Sequence, residues 1–490
     1  MSESVKNKAI YKGTMWSFID NFFRQGITFV VFIFLARILD PQLFGVLAAA
    51  MLFIQAFNSI IFESISTSII RKKDITNADL NTGFWLCVGI SIPSFLILFL
   101  SANFIEQLMD INGLSLVIKG TSFILLTSGL SKMHEVWLIK RLNFKALAVR
   151  SSISVTLGGA IAIYLALQGY GIESLIAQQL VTILVQLVLL WFLTPWKPKL
   201  LISTDSAKEI FSFGKHVAMT GVANFTNNNS DIAFVSYYLG AAATGIYSTA
   251  KRIPTTLNTV LTTSLIRISL PAFSSIQDDD ERLRATFLES VTLTALFTAP
   301  IFFGLATLSE DIVFLMLGKQ WSEVIPIMQL ITVIGFLPSI GQYNQNIMLI
   351  KNKPQWQTRI RVLYAISDFV FFFIFTRFGL LYTAIAFTIR AICLYPIAVW
   401  CALQLLQLKW KDYLKAVYPA VLSSILMSSC VYALSILSAD LNIVIRLMLC
   451  VLLGVLSYLI FSYSFLRGEF KIAYIQQIKN LKLRLTKYLS

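Results

Sequence analysis

Long apolar runs alternate along this chain with short charged segments. About fourteen runs reach the roughly 20 residues that carry a helix across a bilayer. They are Met15–Ile38, Gln42–Ile69, Leu80–Leu100, Leu114–Leu138, Leu147–Leu167, Glu173–Leu193 and Phe211–Leu239, followed by Thr244–Leu270, Ala285–Leu308, Ser322–Leu349, Val362–Phe378, Leu380–Leu405, Leu414–Leu437 and Ile443–Phe465. The pattern predicts an all-α polytopic membrane protein. Composition agrees: 57% of residues are hydrophobic and 13% charged, where a soluble domain carries about 25% charged residues. The first run follows a short basic start but contains Asp20, Arg24 and Gln25 and lacks a small-residue cleavage site. It reads as a retained span rather than a signal peptide.

The basic residues segregate between alternate loops. One side holds Lys6, Lys8, Lys12, Arg71, Lys72, Lys73, Lys140, Arg141, Lys145 and Arg150, and continues to Lys409, Lys411, Lys415 and the tail. The other holds little beyond Arg37, Lys319 and Arg377. About 30 basic residues against about 3 mark the first side as cytoplasmic, with both termini on it. The net charge of +15 therefore sets topology, and no nucleic-acid partner is expected.

One polar stretch, VANFTNNNSDIAF (Val222–Phe234), interrupts this pattern. As a loop it would leave Phe211–Ala223 too short to cross and would invert every later loop, destroying the charge alternation. It is expected inside the seventh span. LARILDPQLFGVLAAA (Leu35–Ala50) is similar to VSYYLGAAATGIYSTA (Val235–Ala250) at an offset of 200 residues. Six spans separate the two segments, so the halves would be parallel repeats about an axis along the membrane normal. The expected organisation is residues 1–200 and 201–408 as two six-helix lobes around a central cavity, 409–466 as two further spans, and 467–490 as a basic amphipathic cytoplasmic tail, either lying on the inner leaflet or solvated.

Charges at membrane depth cost at least ~2.5–3.5 kcal/mol on insertion scales, so they face partners or wet cavities. Asp20, Arg24 and Thr28 share one face of span one. Asn224, Asn228 and Asp231 form a stripe on span seven, with Asn227 beside it. The two stripes are expected to face each other across the central cavity. Lys251, Arg252, Gln345, Asp368 and Arg390 complete the candidate lining; Lys119 and Arg446 are further in-span charges. Alternatives stand beside this reading. Asp20–Arg24 can be a private ion pair, and Lys251 and Arg252 can snorkel to an interface. Asp368 and Arg390 can pair, and the asparagines can serve as interhelical hydrogen-bond glue. Four asparagines within Asn224–Asn229 favour a cavity. Cationic groups at this depth suit a phosphate or diphosphate, and the amides and hydroxyls suit sugars.

No P-loop occurs. The five cysteines form no CxxC pair, the two histidines have no HExxH context, and no metal site is expected. Asp278–Glu281 reads as a helix start.

The stretches GTMWSFIDNFFRQGITFVVFIFLARILDPQLFGVLAAAM (Gly13–Met51), LGAAATGIYSTAKRIPTTLNTVLTTSLIRISLPAFSSIQDDDERLRATF (Leu239–Phe287) and LGKQWSEVIPIMQLI (Leu317–Ile331) resemble bacterial polysaccharide flippases of the O-antigen, colanic-acid and exopolysaccharide type. These belong to the multidrug/oligosaccharidyl-lipid/polysaccharide exporter superfamily. The resemblance implies a non-enzymatic transporter of the bacterial inner membrane. Its implied substrate is an undecaprenyl-diphosphate-linked oligosaccharide, moved to the periplasmic leaflet by alternating access. Membrane lipids are expected partners, and the basic inner face and tail could dock a polysaccharide polymerase and assembly proteins. No cofactor is expected, and the coupling ion, Na+ or H+, stays open, with Asp231 or Asp368 as its candidate carriers. A cation-coupled drug exporter of the same superfamily and a membrane polymerase or ligase are the alternatives.

Overall fold

A computed structural model of the chain describes residues Glu3–Phe465, without the side chains of residues 3–15, 17–20 and 263–268. The side chain of Asp20 and the whole basic tail therefore lie outside the described residues. All regular structure among the described residues is helical. The first helices are α1 (Glu3–Ile38), α2 (Pro41–Phe57), α3 (Glu63–Ile70), α4 (Asn77–Met109), α5 (Leu114–Lys140), α6 (Phe144–Leu167) and α7 (Ile172–Leu193). Then come α8 (Thr204–Ser274), α9 (Asp280–Thr307), α10 (Ser309–Met316), α11 (Val324–Val333) and α12 (Leu337–Ile350). The last are α13 (Pro354–Phe375), α14 (Leu380–Leu406), α15 (Trp410–Leu437) and α16 (Ile443–Phe465).

Among the described residues, 11 helical stretches are long and apolar enough to cross a membrane. They coincide with expected spans. The three expected spans outside that set, Phe211–Leu239, Thr244–Leu270 and Val362–Phe378, are also helical, on α8, α13 and the short 3-10 turn Thr376–Phe378. These three carry the asparagine run, Lys251, Arg252 and Asp368. Composition thus separates an apolar frame from a polar set of helices.

Local sequence explains the boundaries. Asp40 is extended and Pro41 opens α2, where its missing N–H costs nothing. A π-turn, Asn58–Phe62, joins α2 to α3 within one membrane-length stretch. Thr76 and Asp79 cap α4 reciprocally. Asp279 accepts from the Arg282 N–H at 3.0 Å, so the acidic run does open a helix, α9. α8 runs unbroken through the asparagines and turns at Gly240, whose φ of 76° and ψ of −169° a side chain would disfavour. The expected boundary between spans seven and eight falls at this turn.

Two compact units result. The first comprises the residues up to Thr249 with Arg361–Phe387; the second comprises Ala250–Ile360 with the described residues from Thr388 onward. The core of the first packs Val46, Ala49, Ile54, Phe62, Phe84 and Ile118. That of the second packs Ala295, Ala299, Phe302, Ile340, Ala420 and Met427. Small alanines among large side chains let membrane helices approach closely, since lipid supplies no hydrophobic drive between them.

Candidate substrate-binding site

On α1, Arg24 is half-buried and donates through Nη2 to Asn21 Oδ1 at 2.9 Å. The structure thus gives Arg24 a neutral partner on its own helix. Thr28, one turn further on, is also partly buried.

The asparagines divide between two roles. Arg361 Nη1 on α13 donates to Asn224 Oδ1 at 3.4 Å, and Asn227 Nδ2 donates to the Arg361 carbonyl at 3.2 Å. Asn229 Nδ2 donates to the Phe225 carbonyl at 3.1 Å. Asn224 and Asn227 therefore join α8 to α13, the interhelical role, while Asn228 is exposed. Asp231 is buried; Tyr247 donates its hydroxyl to Oδ2 at 3.1 Å, and the Ile232 N–H reaches Oδ1 at 2.9 Å. Tyr247 lies beyond Gly240, so this carboxylate ties the two arms of α8 together. Asp368 is buried on α13 in the first unit.

In the second unit, Lys251 and Arg252 on α8 and Arg390 on α14 are partly buried. Gln345 accepts from Gln357 Nε2 at 3.0 Å. Neighbouring Asn346 is buried and donates to Ser269 Oγ at 2.9 Å. Arg446 on α16 has a partner the sequence reading missed. Its Nε donates to Asp311 Oδ2 at 3.0 Å, Nη2 donates to Oδ1, and Nη1 reaches the Ala439 carbonyl at 3.4 Å. Such a fork fits a carboxylate in two places at once. Between α9, α15 and α16 lies a cavity of about 580 Å³, lined by Leu296, Phe297, Ile301, Met427 and Val455. Apart from the Cys450 thiol and the Tyr458 hydroxyl, which donates to the Leu296 carbonyl at 2.6 Å, its walls are hydrocarbon.

The first unit also holds a charged group that sequence reasoning passed over. Lys132 Nζ on α5 lies 3.0 Å from Glu63 Oε2 on α3 and 3.6 Å from Glu135 Oε2. Arg150 Nη1 on α6 lies 3.9 Å from Glu135 Oε1. The positive charge of Arg24 also acts on Glu135. The signal was available: Glu63, Lys132 and Glu135 fall inside expected spans two and four, and Arg150 inside the fifth.

A separate brace sits between α3 and α4. Lys72 Nζ is 2.6 Å from Asp79 and 2.7 Å from Glu209, and Ser206 Oγ donates to Asp79 at 2.7 Å. The segment before α8 docks here through Lys199 N–H to Asn81 Oδ1 at 3.0 Å and Ser203 N–H to Thr82 Oγ1 at 2.9 Å. Burial lowers the Lys72 pKa, but hydrogen bonds to Asp79 and Glu209 outweigh it, so the ammonium titrates above its ordinary value.

The internal duplication has a physical counterpart in the first unit. A methyl group placed on Gly45 would run into the Ala241 carbonyl, and one placed on Gly245 would run into the Pro41 carbonyl. Gly45 pairs with Gly245 and Pro41 with Ala241 at the same offset of 200 read from the sequence. The two repeat segments cross backbone to backbone, as glycine allows.

A polysaccharide biosynthesis protein family profile matches residues 34–326, more than half of the chain. The chain belongs to this family. Two relatives of this polysaccharide biosynthesis protein are each 28% identical to it. One is the succinoglycan biosynthesis transport protein ExoT of Rhizobium meliloti, over 70% of this chain and 72% of its own. The other is the lipopolysaccharide biosynthesis protein WzxC of Escherichia coli, over 71% of each chain. Among solved structures, the lipid II flippase MurJ in an inward closed conformation superposes with a TM-score of 0.71 at 16% identity, covering 94% of this chain and 99% of that one. An inward-facing multidrug resistance MATE family transporter gives 0.58 at 13% identity, covering 81% and 95%. These likenesses show the fold: an all-α polytopic membrane protein of the kind the sequence predicted.

Proposed function

We propose that this polysaccharide biosynthesis protein is a flippase, not an enzyme. It carries undecaprenyl-diphosphate-linked oligosaccharide repeat units from the cytoplasmic to the periplasmic leaflet by alternating access, supplying surface polysaccharide synthesis. The observation that carries the reading is a set of charged and amide side chains held at membrane depth in a chain of this family. Arg24, Asn228 and Gln345 are the groups it assigns to substrate, with Lys251 and Arg252 as further cations. Transport functions in the names of the ExoT and MurJ proteins support it. So does the hydrocarbon cavity of about 580 Å³, which suits a polyprenyl chain.

The 200-residue repeat on which the proposed lobes, residues 1–200 and 201–408, are drawn is supported by the reciprocal crossing at Gly45 and Gly245. The alternation of basic loops supports a bacterial inner-membrane protein with both termini inside. Buried Asp231 and Asp368 are the proposed carriers of a coupling Na+ or H+. A polymerase and assembly proteins would take up the product.

The test uses cells lacking the gene. A membrane-impermeant sugar-modifying enzyme is applied to right-side-out spheroplasts. The lipid-linked repeat unit should be protected without the protein and accessible once the gene is restored. Accessibility without the protein would overturn the flippase reading and leave a drug exporter or polymerase in its place.

A further inference from the structure

Glu63, Lys132, Glu135 and Arg150 occupy one level of the first unit. Lys132 and Glu135 precede the end of α5 at Lys140 by 8 and 5 residues, Glu63 precedes the end of α3 at Ile70 by 7, and Arg150 follows the start of α6 at Phe144 by 6. At 1.5 Å per residue they all sit roughly 8–12 Å in from the same end of the bundle. By the proposed orientation that end is cytoplasmic. Charges at this depth do not face hydrocarbon, and the Glu63 side chain is 56% exposed, so the group opens on a wet space.

The four charges cancel among themselves, but the positive charge of Arg24 also falls on Glu135. Together, Arg24, Lys132 and Arg150 are positive and Glu63 and Glu135 negative, leaving one positive charge over. The group's donors are only partly filled: Lys132 donates to Glu63 at 3.0 Å and Arg150 Nη2 to Ser151 Oγ at 3.4 Å. Arg150 is 11% exposed, stands 3.9 Å from Glu135, and has no hydrogen-bond acceptor for Nε among the described residues. A guanidinium so placed retains donors for a forked acceptor. Glu63 holds Lys132 from the exposed edge, where an ion pair contributes only about 0–1 kcal/mol and is easily exchanged.

We propose that Lys132 and Arg150 form an entry site for a lipid-borne diphosphate, held by Glu63 and Glu135 while no ligand is present. The inference rests on the flippase reading and adds Lys132 and Arg150 to Arg24 as cations of the first contact. The diphosphate oxygens take the open donors of Arg150 and displace Glu63 from Lys132. Glu63 directly follows the π-turn Asn58–Phe62, against which Gly221 of α8 packs through the Ser59 carbonyl. Occupancy is thereby felt by the helix that carries the asparagines.

The experiment measures thermal stabilisation of the purified full-length protein by undecaprenyl diphosphate, with inorganic pyrophosphate and phosphatidylglycerol in parallel. Lys132→Gln and Arg150→Gln should each raise the apparent Kd about tenfold, while Arg150→Lys, which keeps the charge but loses the fork, recovers only part of the affinity. Glu135→Gln removes a counter-charge and should tighten binding about threefold, a gain that a merely structural carboxylate would not give. Equal affinity across these variants would overturn the site and leave the flippase reading standing. Phosphatidylglycerol binding as tightly as undecaprenyl diphosphate would reassign the site to phospholipid headgroups. Pyrophosphate as effective as the lipid would overturn the lipid-borne source. Wild type that binds undecaprenyl diphosphate nowhere would remove the diphosphate substrate itself, and the entry site with it.

Discussion

The two units treat in-membrane charge in opposite ways. In the second, Arg446 and Asp311 satisfy each other through two parallel hydrogen bonds, with the Ala439 carbonyl as a third acceptor. In the first, Lys132 reaches Glu63 at 3.0 Å, but Glu135 stands 3.6 Å from Lys132 and 3.9 Å from Arg150, and with Arg24 one positive charge is left over. A saturated pair has nothing to offer a ligand and serves to fix α16 to α10. An unsaturated group keeps donors in reserve at a cost in stability. Saturation, more than the mere presence of charge at depth, separates a structural pair from a binding group.

The largest effect expected from this contrast is on stability. Asp311→Ala leaves Arg446 buried without its carboxylate, and breaking such a pair costs about 3–5 kcal/mol. Thermal unfolding in detergent should show it, and exchanging the two residues (Asp311→Arg with Arg446→Asp) should recover part of the loss. Lys132→Gln should cost less stability than Asp311→Ala, because Arg150 stays beside Glu135, yet abolish most transport. A loss as large as that at Asp311 would erase the distinction.

Gly45→Val and Gly245→Val fill a backbone crossing and should stop transport at normal protein levels. Gly26→Val, which meets nothing within 4 Å, should not. Salt gives a finer separation. Raising ionic strength from 0.05 to roughly 0.5 M should weaken undecaprenyl diphosphate binding several-fold while leaving the Asp311–Arg446 contribution to unfolding nearly unchanged, since partly exposed charges are screened and buried ones are not.

The smallest effect belongs to Lys72. Its folded pKa is raised, so its contribution is complete below the unfolded value of about 10.4 and is lost as pH rises through the folded one. Lys72→Met should therefore lower stability by a constant amount near neutral pH and alter its pH dependence above about pH 10. It should alter that dependence again in acid, where Asp79, raised by burial but held down to about 2 chiefly by Lys72, titrates. A difference that varies with pH between 6 and 8 would contradict the assignment.

Much of this was legible in the chain. The apolar period placed the helices, and the charge alternation required the asparagine run to be helical, which α8 is. The 200-residue offset located a repeat whose members touch at Gly45 and Gly245. Partner choice was harder to see. The asparagines suggested a cavity because four polar amides crowd one stretch, yet Asn224 and Asn227 meet Arg361, more than 130 residues away. Lys132, Glu135 and Arg150 were visible as in-span charges, but each alone looks like a loop residue slipped into a helix end.

Taken by itself, the sequence determined what a bilayer demands locally: which segments are helical, how long they are, and which loops stay on the basic side. Those follow from transfer free energies and backbone hydrogen bonding, which depend on each segment's own residues. The tertiary structure alone decided which buried charges neutralise one another and which remain open. Side chains on different helices compete for the same partners, and only their distances in the folded protein settle that competition.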